Sequence, residues 1–171
     1  MRFVTTKGRQ QSGVSFATAL FKGLAPDGDL YVPESMPRLP ADVLARLRSM
    51  ELAEIGARVL APFVGDELGF EALTAIVASA MNFPIPVIQI EPDIFALELF
   101  HGPTLAFKDV GARVMARLMA ALHPGGDPLT ILVATSGDTG SAVANAFHNV
   151  PHTRVVLIDG LAEPHGQVRQ Q

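Results

Sequence analysis

The sequence predicts an α/β fold with a parallel sheet, preceded by a helical N-terminal subdomain. The first observation is the order strand, loop, helix, strand between residues 130 and 158. Thr130-Ile131-Leu132-Val133-Ala134-Thr135 and Val155-Val156-Leu157-Ile158 are continuous apolar strands. A glycine-bearing loop and a helical stretch separate them, which makes a βαβ unit. The second is a set of three consecutive stretches with apolar residues at helical spacing between Ala41 and Met81. Pro84 and Pro86 break that pattern, so residues 1–85 are assigned to the helical subdomain and 86–171 to the sheet-containing part.

Each element has a local reason. Residues 12–22 read as a helix capped by Ser12 or Ser15 and ended by Gly23. Ala25-Pro26-Asp27-Gly28-Asp29 is a turn with Pro and Gly in typical places. Leu30-Tyr31-Val32-Pro33 is extended, and prolines 33, 37 and 40 mark a loop. Helices are predicted over Ala41–Met50 (Val43, Leu44, Leu47), Leu52–Phe63 (Leu52, Ile55, Val59, Leu60) and Phe70–Met81 (Leu73, Ile76, Val77, Ala80). Their apolar faces read as core, because exposed apolar stripes are rare. Val87–Ile90 and Ile94–Leu99 read as strands. Asp109–Leu122 is a helix with Asp109 as N-cap and Val110, Val114, Leu118 and Leu122 in register, stopped by Pro124-Gly125-Gly126. The strand at 130–135 has the composition of one buried on both faces. Ser141–Phe147 resumes helical spacing.

Composition narrows the functional classes. In 171 residues, 49% are apolar and 18% charged, which excludes a disordered chain. The formal charge of −4 carries no basic block, so a nucleic-acid footprint is not expected. Without cysteine there are no disulfides and no thiolate metal sites. Neither a signal-peptide core nor a bilayer-length apolar run occurs, so the expected location is the cytoplasm.

Two strand-to-helix loops carry the chemistry, and in open α/β sheets ligands sit beyond the carboxyl ends of strands. The chain has three lysines: Lys7, Lys22 and Lys108. Lys108 follows Phe107 in an apolar run, just before the helix that Asp109 opens. A cation there opposes the helix macrodipole. Lysine, unlike arginine, can act as an amine nucleophile and form a Schiff base. The competing reading is a lysine that snorkels from a helix start. Ser136-Gly137-Asp138-Thr139-Gly140 ends one strand and begins a helix. Its glycines allow close backbone approach, and its free N–H groups suit a carboxylate or phosphate. Read alone, it is equally a glycine-rich connection with two capping residues. His148 and His152 are four apart, but Asn149 and Pro151 interrupt the helix between them, so no metal site is assigned.

Taken together, Leu99-Phe100-His101-Gly102-Pro103-Thr104-Leu105-Ala106-Phe107-Lys108-Asp109 resembles the cofactor-lysine motif of the threonine synthases. Ala134-Thr135-Ser136-Gly137-Asp138-Thr139-Gly140-Ser141-Ala142 resembles their substrate-side loop, and Gly23–Pro33 resembles their opening segment, usually written with Gly-Gly in place of Gly28-Asp29. The resemblance runs from about residue 1 to 158 and implies a fold-type II pyridoxal-phosphate enzyme, similar to the tryptophan synthase β chain. Such enzymes are phospho-lyases that convert O-phospho-L-homoserine and water to L-threonine and phosphate. By this resemblance Lys108 would hold pyridoxal 5'-phosphate as a Schiff base and move protons. Phe107 and Asp109 would frame it, and Ser136, Gly137, Asp138, Thr139 and Gly140 would receive the substrate.

The chain also departs from the family. The cofactor-phosphate loop and the pyridine-nitrogen partner, both expected further on, do not occur in the 171 residues. After Leu157 the family's usual Tyr-Pro-x-Gly turn is replaced by Ile158–Gln171. The expectation is a truncated first part of the catalytic domain, inactive alone, that self-associates or takes a missing C-terminal half. Two alternatives remain at this stage. One is a non-catalytic interaction or regulatory module. The other is a homodimeric aspartic protease built on Asp138-Thr139-Gly140-Ser141, which would need two aspartates sharing a proton.

Overall fold

The computed structural model describes residues 1–7, 12–64, 67–135, 137–158 and 168–170. It divides into two compact units, Met1–Ala78 and Ser79–Gln171.

In the first unit, β1 (Phe3–Thr5) pairs antiparallel with β2 (Tyr31–Pro33), with Val4 opposite Val32. Helix α1 spans Phe16–Lys22. Residues 13 and 14 stay out of it because Val14 instead exchanges two backbone hydrogen bonds with Phe3, at 2.8 and 2.9 Å. Ser15 is the N-cap and accepts from Thr18 N at 3.1 Å. Gly23, at φ 66°, ends the helix in the left-handed region that glycine tolerates. A second anchor comes from far along the chain. The Glu67 carboxylate accepts from Phe16 N at 2.8 Å and Ala17 N at 3.0 Å, satisfying two orphan donors of α1.

Helix α2 (Ala41–Arg46) tightens into a 3-10 turn at Leu47–Ser49, and α3 spans Leu52–Val64 with Pro62 in its last turn. Helix α4 covers Phe70–Ala80. Leu73, Val77, Ala57 and Val64 form the buried seam between α3 and α4. The Val77 side chain of α4 sits directly on α3 at Gly56, where a Cβ would come within 2.7 Å of Val77 Cγ1. The absence of a side chain at Gly56 is therefore a packing requirement.

In the second unit, β3 (Val87–Glu91) and β4 (Ile94–Leu97) form an antiparallel hairpin turned at Pro92-Asp93, with a bulge between Gln89 and Glu91. Helix α5 spans Lys108–Ala121, β5 Leu129–Ala134, α6 Asp138–Phe147 and β6 Thr153–Ile158. β5 and β6 are parallel, from Leu129 opposite Thr153 to Ala134 opposite Ile158. β7 (Val168–Gln170) adds antiparallel to the other edge of β6, so the sheet order is β5-β6-β7. The core joins Val114, Leu118 and Met119 of α5 to Ala142, Ala146 and Phe147 of α6 and Val155 of β6.

Two expectations are corrected. Helix α5 begins at Lys108, one residue earlier than predicted, and its N-cap position is Phe107, which makes no side-chain cap. Strand β5 is not buried on both faces. Its burial alternates, Ile131 and Val133 half-buried while Leu132 is 64% exposed, because the α6 layer covers one face among the described residues. The β3–β4 hairpin is likewise exposed along nearly all its length.

Asp29 organises the edge of the first unit and makes it acid-sensitive. Its carboxylate accepts from the Thr6 hydroxyl, from Lys7 N at 2.7 Å and from Leu30 N at 3.0 Å. The Thr6 hydroxyl is the main influence holding this carboxyl below the usual carboxylate range; burial pushes it up, and the Lys7 and Leu30 N–H groups and the Lys7 charge pull it down. A lowered folded-state value stabilises the fold at pH above the unfolded value, about 4, and that stability is lost as pH falls through the folded value. Asp29→Asn is therefore expected to unfold with a flatter dependence on pH below about 4 than the parent. Urea melts over an acid series measure this, and superimposable acid limbs would contradict it.

Candidate active site

The first half of the site is the turn that delivers Lys108. After β4 the chain passes Glu98, whose carboxylate meets His101 Nε2 at 2.6 Å, and the His101 ring lies against Phe100. Leu105 N then donates to Gly102 O at 3.1 Å, closing a tight turn with Leu105 at φ 58°. Asp109, fully buried, fills this turn from inside. Its Oδ2 accepts from Thr104 N at 2.9 Å and its Oδ1 from Thr104 Oγ1 at 2.8 Å. Gly102 is required beside it, since a Cβ there would sit 2.5 Å from Asp109 Oδ2. Asp109 is thus not the helix N-cap read from the sequence. It lies in the first turn of α5 and reaches back to cap the preceding turn.

Lys108 is the first residue of α5 and half-buried. Its Nζ lies 4.5 Å from the centroid of the Phe107 ring, which is itself 61% exposed. Among the described residues Lys108 has no acidic partner within ion-pair distance.

The second half is the start of α6. Gly137 is the N-cap at φ 85° and ψ −143°, a conformation essentially restricted to glycine, and supplies no side-chain cap. The first N–H groups of α6 therefore face outward with no helical partner. Asp138 is exposed and Thr139 half-buried. Gly140 is buried beneath the end of β5, where a Cβ would approach Thr135 O to 3.2 Å. Ser136, assigned to this loop from the sequence, lies outside the described residues.

Two pins set α5 against α6. Just past α5, His123 stacks on His152, just before β6, with centroids 5.3 Å apart and planes 18° apart. Within the helices, the buried Arg113 guanidinium donates to Ala80 O at 2.6 Å, Asn82 Oδ1 at 2.9 Å, Ser79 O at 3.3 Å and Asn145 Oδ1 of α6 at 3.2 Å. Helix α5 thus ends beside the connection that follows α6, and the two run in the same direction. Its 14 residues span roughly 21 Å, the length of a six-residue strand. Lys108 therefore starts toward the carboxyl edge of the strands, where Gly137 opens α6.

The sequence of residues 2–81 matches the family model described as the threonine synthase N terminus. Threonine synthase of Escherichia coli K12 is 44% identical over 146 residues, which cover 85% of this chain and 34% of that protein. The crystal structure of the Escherichia coli enzyme superposes with a TM-score of 0.82 at 41% identity, over 92% of this chain and 36% of the other. A structure of threonine synthase from Brucella melitensis, solved with PLP bound, superposes at 0.85 and 38% identity, over 96% of this chain and 37% of the other. The chain matches the N-terminal portion of threonine synthases. It spans about a third of the length of the relatives it matches.

The aspartic-protease alternative loses its support here. Asp138 is the exposed first residue of an α-helix after a parallel strand, a placement at odds with a carboxylate shared between two β-rich lobes. His148 ends α6, and among the described residues no group of three His, Asp or Glu lies close enough to hold a metal. The sequence reading overlooked Gly102 and Thr104 as site-building residues. The available signal was a Thr-x4-Asp spacing directly after Gly102-Pro103, which carries no period.

The Gly137 conformation gives a direct test. Gly137→Ala is expected to lower stability by about 1–3 kcal/mol, because alanine does not tolerate that backbone region. Denaturant unfolding measures it, and a change below about 0.5 kcal/mol would contradict the strained-loop assignment.

Proposed function

We propose that this chain is the lysine-bearing first part of a pyridoxal-phosphate-dependent threonine synthase. The reaction is conversion of O-phospho-L-homoserine and water to L-threonine and phosphate. The observation that carries this reading is the pairing of Lys108 with the α6 N-terminus on one edge of a parallel sheet. The residues fit the cofactor and substrate in kind. An amine without an acidic partner among the described residues suits an aldehyde, and outward N–H groups at a glycine-lined helix start suit an anion. When bound, pyridoxal phosphate supplies an electron sink that makes carbanion chemistry accessible.

In this reading Lys108 would hold the cofactor through Nζ, and the same amine would move protons at the substrate carbon atoms. The Phe107 ring lies against the Lys108 amine. Asp109 is framed into the turn and supports the lysine from below. By sequence motif, Ser136, Gly137, Asp138, Thr139 and Gly140 receive the substrate carboxylate. The exposed apolar faces of β5 and of the β3–β4 hairpin suit further protein, whether a C-terminal portion or a second copy. The working location is the cytoplasm; among the described residues no helix is long and apolar enough to cross a membrane.

The test uses the chain's own lysines. After incubation with pyridoxal phosphate and reduction with borohydride, peptide mapping should place the label mainly on Lys108 rather than Lys7 or Lys22, and Lys108→Ala should remove it. Equal labelling of the three would contradict the reading. The chain alone should release no phosphate from O-phospho-L-homoserine, and release dependent on Lys108 would overturn its assignment as an incomplete catalyst.

A further inference from the structure

We infer that Asp109, Thr104 and Gly102 form a buried clamp that positions Lys108, so that the reactivity of this amine depends on a carboxylate that never touches the ligand. The inference rests on the reading of Lys108 as the cofactor lysine and extends it to Thr104 and Gly102, which have no assigned role, and to the way Asp109 frames the lysine.

The geometry is specific. Asp109 is fully buried, and its two oxygens are spent on one residue, Thr104, through its N–H and its hydroxyl. No cation neutralises it among the described ion pairs. A buried carboxylate held by two donors resists rotation, since losing either donor leaves one oxygen buried without its hydrogen bond. Lys108 and Asp109 are consecutive in a helix, so their side chains leave the axis about 100° apart. Fixing Asp109 inward against the 102–105 turn therefore fixes the direction in which the Lys108 stem leaves the helix. Gly102 completes the clamp, because its missing side chain is the space that Asp109 Oδ2 occupies. A loosened clamp frees the first turn of α5, whose start no side chain caps at Phe107. Small misplacements of a reacting group are costly, of the order of a hundredfold for about 1 Å.

The experiment is the rate of reductive labelling by pyridoxal phosphate at each lysine, followed by mass mapping across a pH series. Thr104→Val removes the hydroxyl donor, and Gly102→Ala drives a Cβ into Asp109. Both should abolish the preference for Lys108 while labelling at Lys7 and Lys22 stays at the parental rate. Thr104→Ser, which restores the hydroxyl, should recover the preference with the parental pH profile. General loosening of the fold would instead raise all three rates, and that outcome would overturn the clamp as a positioning device. Undiminished Lys108 preference in Thr104→Val and Gly102→Ala would also overturn it, leaving the cofactor-lysine reading intact. Equal labelling of all lysines in the parent chain would overturn both.

Discussion

The Asp109 carboxylate, enclosed in the 102–109 turn, is the constraint on which the candidate site depends. A buried charge without partners would be strongly disfavoured. Here Thr104 supplies two donors and Gly102 leaves the volume. The turn and the first turn of α5 are therefore tied to each other. Lys108 inherits its place from this arrangement. The same logic recurs at Asp29 and Glu67 in the first unit, where carboxylates satisfy backbone N–H groups distant in sequence. At these three places among the described residues, a carboxylate closes a loop by accepting backbone N–H groups.

A second buried charge acts over a longer range. Arg113 addresses four oxygen acceptors, three of them between residues 79 and 82 and one on α6. Its planar fork suits several carbonyl-type acceptors at once, which lysine would not match. With the His123–His152 stack it fixes the direction and level of α5 relative to α6. Lys108 and the α6 N-terminus are thereby brought to one edge of the sheet. The carboxyl edge of the strands becomes the candidate site because the far end of the helix layer is pinned.

Much of this was legible in the sequence. The βαβ order, α3, α4 and the Gly23 stop follow from period and from local backbone preference. What was not legible depended on distant partners. Val14 leaves the helix pattern because Phe3 claims its backbone, and Glu67 caps α1 from about fifty positions away. Asp109 read as an N-cap since Asp before an apolar helix usually is one. Burial reversed its direction. Strand β5 read as doubly buried because composition reports apolarity and not which faces are covered. Of the candidate site, Lys108 and the Gly137–Gly140 segment were visible as motifs. The residues that build the turn under Lys108 were not, since a turn clamp has no repeat to announce it.

The central claim is that Asp109 holds the 102–105 turn closed through Thr104. Amide hydrogen exchange at Thr104 tests it most directly. Protection of the Thr104 N–H close to that of α5 core amides such as Leu118, collapsing in Asp109→Ala, is the predicted result. Exchange in the parent chain as fast as in the exposed Gly125-Gly126 turn would contradict it.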